Sequence, residues 1–316
     1  MLADYTTAGL IAKIENYTLE TISPTTVPYN STQVLSIADD MIRTRIVPFL
    51  TTLRDEYFVA VLDVPLVVGQ TEYDIPEESI ALKLRKLAMI NSAGDSIFRI
   101  PQVALDTEEA TFAFGFSNYT FRFQGNKIVL SPAPASTGDS LRLYYFKRPK
   151  ELSTSANALT ISEKDSTTTV TVSESTLPAW AVAGARVVIQ KAGAPFTLLN
   201  DTITVASING SAPWEITFTE AYNIDVAVGD YVTAEDTVFV PEVPIECFSW
   251  LARLVGAQML MSRGDGTAAQ FQMTEAAHDE AVLLRLFTKR SEGNVKKVVS
   301  PYGIMYRGSS GRRGRW

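Results

Sequence analysis

In the first 58 residues, apolar side chains recur every three or four positions, which is the pattern of amphipathic helices. A short stripe lies between Leu10 and Ile14, and a longer one follows Ser31. The longer stripe consists of Val34, Leu35, Ile37, Ala38, Met41, Ile42, Ile46, Val47, Leu50, Leu53 and Tyr57. Ser31 or Thr32 is the expected N-cap. Pro48 has no backbone donor and should bend or break the second helix.

From residue 59 to 157 the period changes to two, which is typical of half-buried β-strands. Apolar and basic residues alternate in part between Leu82 and Met89, and glycine-containing turns are expected at 91–95 and 125–126. A short helix is expected at 106–110. These 99 residues are predicted to form a β-sheet domain.

Residues 158–238 are rich in Thr, Ser, Val and Ala and contain short apolar stretches every 10 to 15 residues. Strands of this length and spacing favour a small barrel or sandwich. We interpret this segment as an insertion into the first sheet domain, and we expect it to fold on its own.

The helical period returns in residues 239–290. One stripe consists of Ile245, Phe248, Leu251, Ala252, Val255 and Met259. A second helix is predicted from Thr267 to about Arg290, and its predicted buried side consists of Phe271, Thr274, Ala277, Ala281, Leu284 and Phe287 or Thr288. The predicted fold class is therefore α+β: a bundle formed by the N- and C-terminal helices, a β-sheet domain, an inserted barrel or sandwich, and an extended basic C-terminal tail.

The net charge of −7 conceals a strong asymmetry along the 316 residues. From Lys289 to Trp316 the chain carries eight Lys or Arg residues and one acidic residue, which gives +7. The other 288 residues carry 20 basic and 34 acidic residues, which gives −14. The glycine- and arginine-rich tail, residues 291–316, is too polar to form a core and is expected to order only with a partner.

The residue types from which catalytic sites are built are scarce. His278 is the single histidine and Cys247 the single cysteine, so a zinc site, a histidine-activated thiol and an internal disulfide are all disfavoured. The adjacent acidic pairs are interpreted as solvated faces, and they lie at positions 39–40, 77–78 and 108–109. No phosphate-binding glycine loop, secretory signal or membrane span is expected. We predict a binding or structural protein with no cofactor and no metal.

The tail is the strongest candidate site. Its arginines, separated by glycines and followed by an indole ring, could contact phosphates and stack on bases. Docking on an acidic protein surface is the preferred interpretation, because the remainder of the chain is acidic and would repel DNA. The candidate contact residues are Val298, Val299, Tyr302, Ile304, Tyr306, Arg307, Arg312, Arg313, Arg315 and Trp316.

Several strings resemble the head-to-tail adaptor proteins of short-tailed bacteriophages, the tail tubular protein A type. Segment 70–76 (QTEYDIP) followed by 84–87 (LRKL) is similar to the start of that family's β region. Segment 141–149 (LRLYYFKRP) followed by Leu152 is similar to its closing strand, and 241–252 (PEVPIECFSWLA) with Gly264 and Asp265 is similar to its C-terminal helix. Residues 158–238 have no counterpart in the simplest members.

The resemblance implies a structural protein of the virion, assembled in the host cytoplasm and located at the head–tail junction. It implies a ring of about twelve copies beneath the portal protein, around a channel that DNA passes through without sequence-specific contacts. The helices would face the portal, the β parts would face the tail or the next ring, and the C-terminal segment would dock on the portal.

Two alternatives remain at this point. The first is a carbohydrate- or host-binding virion protein, in which Trp180, Trp214 and Tyr222 of the inserted segment stack on sugars. These rings would instead fill the core if the segment is a small barrel, which is the preferred interpretation. The second alternative is a protein that binds nucleic acid through its tail.

Overall fold

The computed structural model describes residues 4–23, 25, 29–54, 56–103, 119–192 and 198–287. The N-terminal region contains helix α1 (Thr7–Thr18), helix α2 (Ser31–Met41), a π-helical turn (Ile42–Ile46) and helix α3 (Val47–Leu53). The predicted apolar stripe is buried at most of its positions, because α2, the turn and α3 form a continuous helical stretch that presents one side to the core.

Two details of this stretch differ from the expectations. Asn30, and not Ser31 or Thr32, is the N-cap, because its side chain accepts the Gln33 N–H while the Gln33 side chain accepts the Asn30 N–H in return. Pro48 lies directly after the π-helical turn, in which the Val47 N–H bonds to the Ile42 carbonyl oxygen. The wider turn accommodates the proline ring without ending the helical stretch.

Between residues 59 and 147 the chain forms two antiparallel sheets. Their strands are β1 (Val59–Pro65), β2 (Glu72–Asp74), β3 (Ser79–Ile90), β4 (Ser96–Arg99), β5 (Thr120–Gln124), β6 (Lys127–Ser131) and β7 (Ser140–Lys147). One sheet has the order β1-β7-β3-β4 and the other the order β2-β6-β5. Leu87, Leu141 and Leu143 of the first sheet pack against Ile128 and Leu130 of the second.

Both expected turns are confirmed. The Asn91 N–H donates to the Asp95 carbonyl oxygen at 3.0 Å, with Gly94 in the left-handed region at φ 86°. Gly125, at φ 62°, closes the tight connection between β5 and β6. The short helix expected at 106–110 lies outside the described residues.

The inserted segment forms a closed barrel, as the sequence allowed. Its six described strands are β9 (Leu159–Lys164), β10 (Thr169–Val172), β11 (Arg186–Gln190), β12 (Leu198–Asn209), β13 (Trp214–Phe218) and β14 (Tyr231–Ala234). They close in the antiparallel order β10-β13-β12-β11-β14-β9, which leaves no free sheet edge. Two short strands at its connections, β8 (Glu151–Leu152) and β15 (Thr237–Val238), pair in parallel.

One barrel strand contributes to two cores. Val187 and Ile189 of β11 point into the barrel, where a separate apolar cluster fills the interior. Val188, between them, is fully buried in the core of the helices instead. Because successive side chains of a strand point to opposite faces, Val188 lies on the outer surface of the barrel and packs against the helical region.

The C-terminal helices are α4 (Cys247–Ser262) and α5 (Gly266–Phe287). A separate 3-10 turn, Ser155–Asn157, lies just before the first barrel strand. Helix α4 is central and packs against α1, α2 and α5. The stripe predicted for α4 from Phe248 to Met259 is buried. The α+β class with a small barrel is thus confirmed.

The predicted buried side of α5 is wrong except at Phe287, which is buried. Phe271, Thr274, Ala277, Ala281 and Leu284 are exposed, with Phe271 60 % and Leu284 46 % accessible. The side that packs on α4 consists of Ala269, Gln272, Ala276, Leu283 and Phe287. Periodicity cannot choose between two faces that both carry apolar residues, and the buried face includes a polar side chain, Gln272, which donates to the Tyr17 carbonyl oxygen at 3.2 Å.

Within the described residues, no helix has both the length and the apolar composition that a membrane crossing needs.

Candidate interaction surfaces and the charged junction

The chain segment that leads from the first sheet to the barrel, residues 147–152, is surrounded by charged side chains. Lys150 lies in this passage and its side chain is only 5 % exposed. Its Nζ donates to the Glu235 carbonyl oxygen and lies 3.2 Å from Asp201 Oδ1 and 3.9 Å from Glu78 Oε1. The ammonium group is therefore paired with acceptors from three separate parts of the chain, as a buried cation requires.

Lys147, at the end of β7, adds a second cation. Its Nζ contacts Asp201 and lies 3.6 Å from Glu78 Oε2. Burial alone would raise the pKa of the Asp201 carboxyl, but its hydrogen bonds and proximity to Lys147 and Lys150 outweigh burial and lower the pKa. Asp201 is a β12 residue, so these pairs connect the barrel directly to the first sheet.

Two further carboxyl groups accept backbone donors from the same passage. Glu242 Oε2 accepts the Lys150 N–H at 2.7 Å, and the two Asp39 oxygens accept the Leu152 N–H at 3.0 and 3.2 Å. Burial raises the pKa of Glu242, and it raises the pKa of Asp39 to about 7 against the opposing effects of the Leu152 bond and of Arg43. The helices, sheet and barrel thus meet at residues 147–152.

We call this set the charged junction: Asp39, Glu78, Lys147, Lys150, Asp201, Glu235 and Glu242. An open cleft of about 360 Å³ lies beside it and is lined by both signs of charge, including Arg43, Arg148, Glu77 and Glu151. Arg43 and Glu151 form an ion pair at 2.8 Å. Since Lys147 and Lys150 pair with Glu78 of the sheet region and Asp201 of the barrel, the geometry supports a role in holding the barrel in position.

The charged junction was not predicted, and part of it corrects an interpretation. The acidic pairs at 39–40 and 77–78 are not simply solvated faces, because Asp39 and Glu78 belong to the junction. The pair at 108–109 lies outside the described residues. The only sequence signal was the pair of lysines at 147 and 150 directly after an apolar strand; their partners are distant in sequence.

Neither residue considered for chemistry has a reactive setting. Cys247 is fully buried at the start of α4, and burial raises the pKa of its thiol to about 12, which disfavours the nucleophilic thiolate. His278 lies exposed on α5. No group of three or more metal-binding side chains occurs in the part of the chain that the structure describes.

The aromatic residues considered for sugar stacking belong to the barrel's packing. Tyr222 is buried in the barrel core, in edge contact with Phe218 at 6.0 Å between ring centres. Trp180 and Trp214 pack against the same core, and the Trp180 indole N–H donates to the Asn157 carbonyl oxygen at 3.0 Å. These contacts favour the interpretation that the rings stabilise the barrel.

Among the described helices, α5 carries the most large apolar side chains that are exposed: Phe271, Val282, Leu284 and Leu286. Exposed apolar surface concentrated on one helix is characteristic of an interaction site.

The candidate tail residues from Val298 to Trp316 lie outside the described residues, so their role stays a prediction.

One family is similar to this chain. The family model described as SU10 adaptor protein matches residues 5–166, which is just over half of the chain. The match contains α1 to α3, the described strands of both sheets, the parallel strand β8 and the first barrel strand β9. No curated protein matches the chain.

Proposed function

Because this chain belongs to the SU10 adaptor protein family, whose members are structural adaptors of phage virions, we propose that it forms a ring between the portal and the tail. The family match over residues 5–166 carries this proposal. It agrees with the resemblance of segments 70–76 and 141–149 to phage head-to-tail adaptors, and it confirms the expectation that the chain is an adaptor of this kind.

The ring would contain about twelve copies and surround the channel through which DNA leaves the head. An acidic body, at −14 over residues 1–288, suits a wall along which DNA slides without sequence-specific contacts. The role is structural, with no catalytic step and no cofactor. The helices would be bundled on the portal side, and the sheets and barrel would face the tail or the next ring.

The tail, residues 291–316, would dock on the portal. Exposed ion pairs contribute only about 0–1 kcal/mol each, so the basic residues need apolar anchors beside them. Val298, Val299, Tyr302, Ile304 and Tyr306 supply such anchors. A groove on the portal with carboxylates at its rim would satisfy both kinds of contact.

The assembly experiment mixes the purified full-length chain with the portal protein and measures the mass of the product. We expect a discrete ring complex, and a chain lacking residues 291–316 should remain folded yet fail to join it. Absence of association at every salt concentration tested would refute the adaptor role, because an adaptor must bind its portal.

A second experiment separates a protein partner from DNA. One variant replaces Tyr302, Ile304 and Tyr306 with alanine, and the other neutralises Arg312 and Arg313. Portal docking predicts that the first variant is the weaker binder and that salt weakens binding modestly. If the arginine variant is instead the weaker binder, and if affinity for duplex DNA falls steeply as the salt concentration rises, DNA is the partner. The steep fall is expected because binding to phosphates releases counterions.

A glycan-binding role finds less support. It needs accessible rings in the barrel, and Tyr222 is only 5 % exposed.

A further inference from the structure

Strand β1 lies at an open edge of the first sheet. The sheet has the order β1-β7-β3-β4, so β1 has a strand neighbour on one side only. The Lys147 N–H donates to the Phe58 carbonyl oxygen, and the Leu66 N–H donates to the Asp139 carbonyl oxygen, which fixes the ladder with β7. Bonded residues alternate in such a ladder, so the residues whose peptide groups face β7 are 58, 60, 62, 64 and 66.

The residues between them, Val59, Val61 and Asp63, direct their peptide groups away from β7. The Val59 N–H bonds to the Glu56 carbonyl oxygen in the preceding turn. The N–H groups of Val61 and Asp63 have no partner among the residues that the structure describes. Pro65, which has no N–H, ends the strand at this edge. The open edge therefore offers two free donors to another strand.

The edge is apolar as well as unpaired. Leu62 lies opposite Leu143, on the face that carries the core, and is 41 % exposed. Val61 lies on the other face of the strand and is 51 % exposed. Exposed apolar edges pair readily with further strands, so folded proteins usually cover them. A covering strand here needs apolar side chains on both of its faces.

The last described helix ends close to this edge. Helix α5 ends at Phe287, whose carbonyl oxygen accepts a hydrogen bond from Arg54 Nε at 3.2 Å, and the Arg54 guanidinium lies over the Phe287 ring. From Arg54 the chain reaches Val59 through two turns, in which the Tyr57 N–H bonds to the Arg54 carbonyl oxygen and the Val59 N–H to that of Glu56. A path of this length spans at most about 18 Å, so the chain leaves α5 near the start of β1.

The sequence that follows α5 contains a suitable strand. In residues 295–299 (VKKVV), an extended backbone places Val298 on one face and Val295 and Val299 on the other. Valine is among the residues most enriched in strands. The connection to α5, residues 288–294, spans up to about 25 Å when extended. This stretch can therefore reach the near end of β1.

We propose that residues 295–299 add to the sheet of their own chain as a strand beside β1. The carbonyl oxygens of this strand accept the N–H groups of Val61 and Asp63, and its valines cover Val61 and Leu62. Two of those valines are also candidate anchors on the portal, so the two contacts exclude one another. The inference goes beyond the portal role, because it gives the first part of the tail a binding site on its own chain before the portal is met.

Hydrogen exchange measured at single amides tests this contact in the full-length chain. We expect the Val61 and Asp63 amides to exchange at least about tenfold more slowly in the wild type than in a Lys297→Pro, Val298→Pro double variant. The two positions are adjacent, so one of the prolines removes a peptide N–H that faces β1. The Leu62 amide, which bonds to β7 in either case, should exchange equally in both chains.

A Ser309→Pro, Ser310→Pro double variant is the matched control, because its prolines lie outside the added strand. It should keep the slow exchange of the wild type. Fast exchange of Val61 and Asp63 in the wild type would overturn the proposal, and so would slow exchange that survives the prolines at 297 and 298. Slow exchange that appears only as the protein concentration rises would also overturn it, since a second copy then supplies the strand.

The portal experiment separates this inference from the proposed function. Portal complexes formed by a chain whose Val61 and Asp63 amides exchange fast would overturn the contact with β1 and leave the adaptor role intact. Slow exchange that depends on residues 297 and 298, in a chain that forms no portal complex, would support the contact with β1 and count against the portal role.

Discussion

The barrel and helix α5 use the same kind of side chain in opposite ways. In the barrel, the six described strands close on themselves, and apolar residues such as Val170, Ile203 and Phe218 fill the interior. In α5, Phe271 and Leu286 point into solvent. Closure gives every barrel strand two paired neighbours within the described chain, whereas helix α5, at the border of a layer, keeps apolar side chains exposed on the side away from α4.

This difference separates a part of the molecule that encloses its own apolar core from a part that leaves apolar side chains exposed. The barrel is joined to the remainder by the charged junction, by Val188 and by the Gln190 side chain, and its own core does not depend on them. The helical region packs around α4 yet leaves large apolar side chains of α5 exposed. We therefore expect the barrel to fold as an independent module, whereas the helical region keeps apolar surface in contact with solvent.

The largest expected effect concerns the whole barrel. Residues 158–238 expressed alone should give a cooperative thermal unfolding transition with a β-type circular dichroism spectrum, because their core cluster is formed by their own residues. A product without a transition would show that the barrel depends on the helices. Val188→Thr should cost about 1–3 kcal/mol in the full chain, where Val188 is buried, and less than about 0.5 kcal/mol in the isolated barrel.

Two phenylalanines provide a matched test of the same comparison. Phe218, which is 2 % exposed in the barrel, should lose about 3–5 kcal/mol of unfolding free energy when changed to alanine. Phe271→Ala on α5 should change it by less than about 0.5 kcal/mol. Urea titrations of both variants measure the two values, and equal losses would mean that Phe271 is buried in the monomer in solution.

The sequence predicts the barrel better than it predicts α5, for a physical reason. Side chains alternate between the two faces of a strand, so once a barrel closes every second residue faces its interior. Val170 and Val187 occupy such inward positions. A helix with apolar residues on two sides offers no such rule. The buried side of α5 is set by Gln272 and Phe287, which contact Tyr17 and Arg54, and both partners lie more than 200 residues away.

The charged junction was beyond prediction for the same reason. Lys150 is an ordinary surface residue by pattern, and its partners at positions 78, 201 and 235 come together only after the chain has folded. Pro48 is a case in which the sequence predicts a disturbance but not its form. We expected a bend or a break, and the structure has a π-helical turn before the proline instead, with the helical stretch continuing after it.

A smaller effect is expected at Gln190, a barrel residue whose side chain bonds to the segment that follows the barrel. Gln190 is 1 % exposed; its Nε2 donates to the Val240 carbonyl oxygen, and its Oε1 accepts the N–H groups of Phe239 and Val240. Gln190→Ala leaves these backbone groups unpaired and should cost about 2–3 kcal/mol. Gln270→Ala, on the exposed side of α5, is the control and should be near neutral. A neutral Gln190→Ala would mean that water replaces the side chain at this attachment.

The smallest expected effect is a pH dependence at the charged junction. The folded-state pKa of Asp39 is raised from 3.8 to about 7, mainly by burial. Between these two values the folded chain holds a proton that the unfolded chain has released. The contribution of Asp39 to stability is therefore complete below about pH 4 and is lost as the pH rises through about 7.

Asp39→Asn isolates this contribution because the amide oxygen still accepts the Leu152 N–H but does not titrate. Since the carboxyl is partly open to solvent, screening limits the effect to about 1–2 kcal/mol. The unfolding free energy of the wild type, relative to that of Asp39→Asn, should fall by this amount between pH 5 and pH 8 in urea titrations. Asp40→Asn controls for the loss of one negative charge at the adjacent exposed position. Parallel curves for the wild type and Asp39→Asn would show that the Asp39 carboxylate is as well solvated in the folded chain as in the unfolded one, and that the attachment of the barrel to α2 is insensitive to pH.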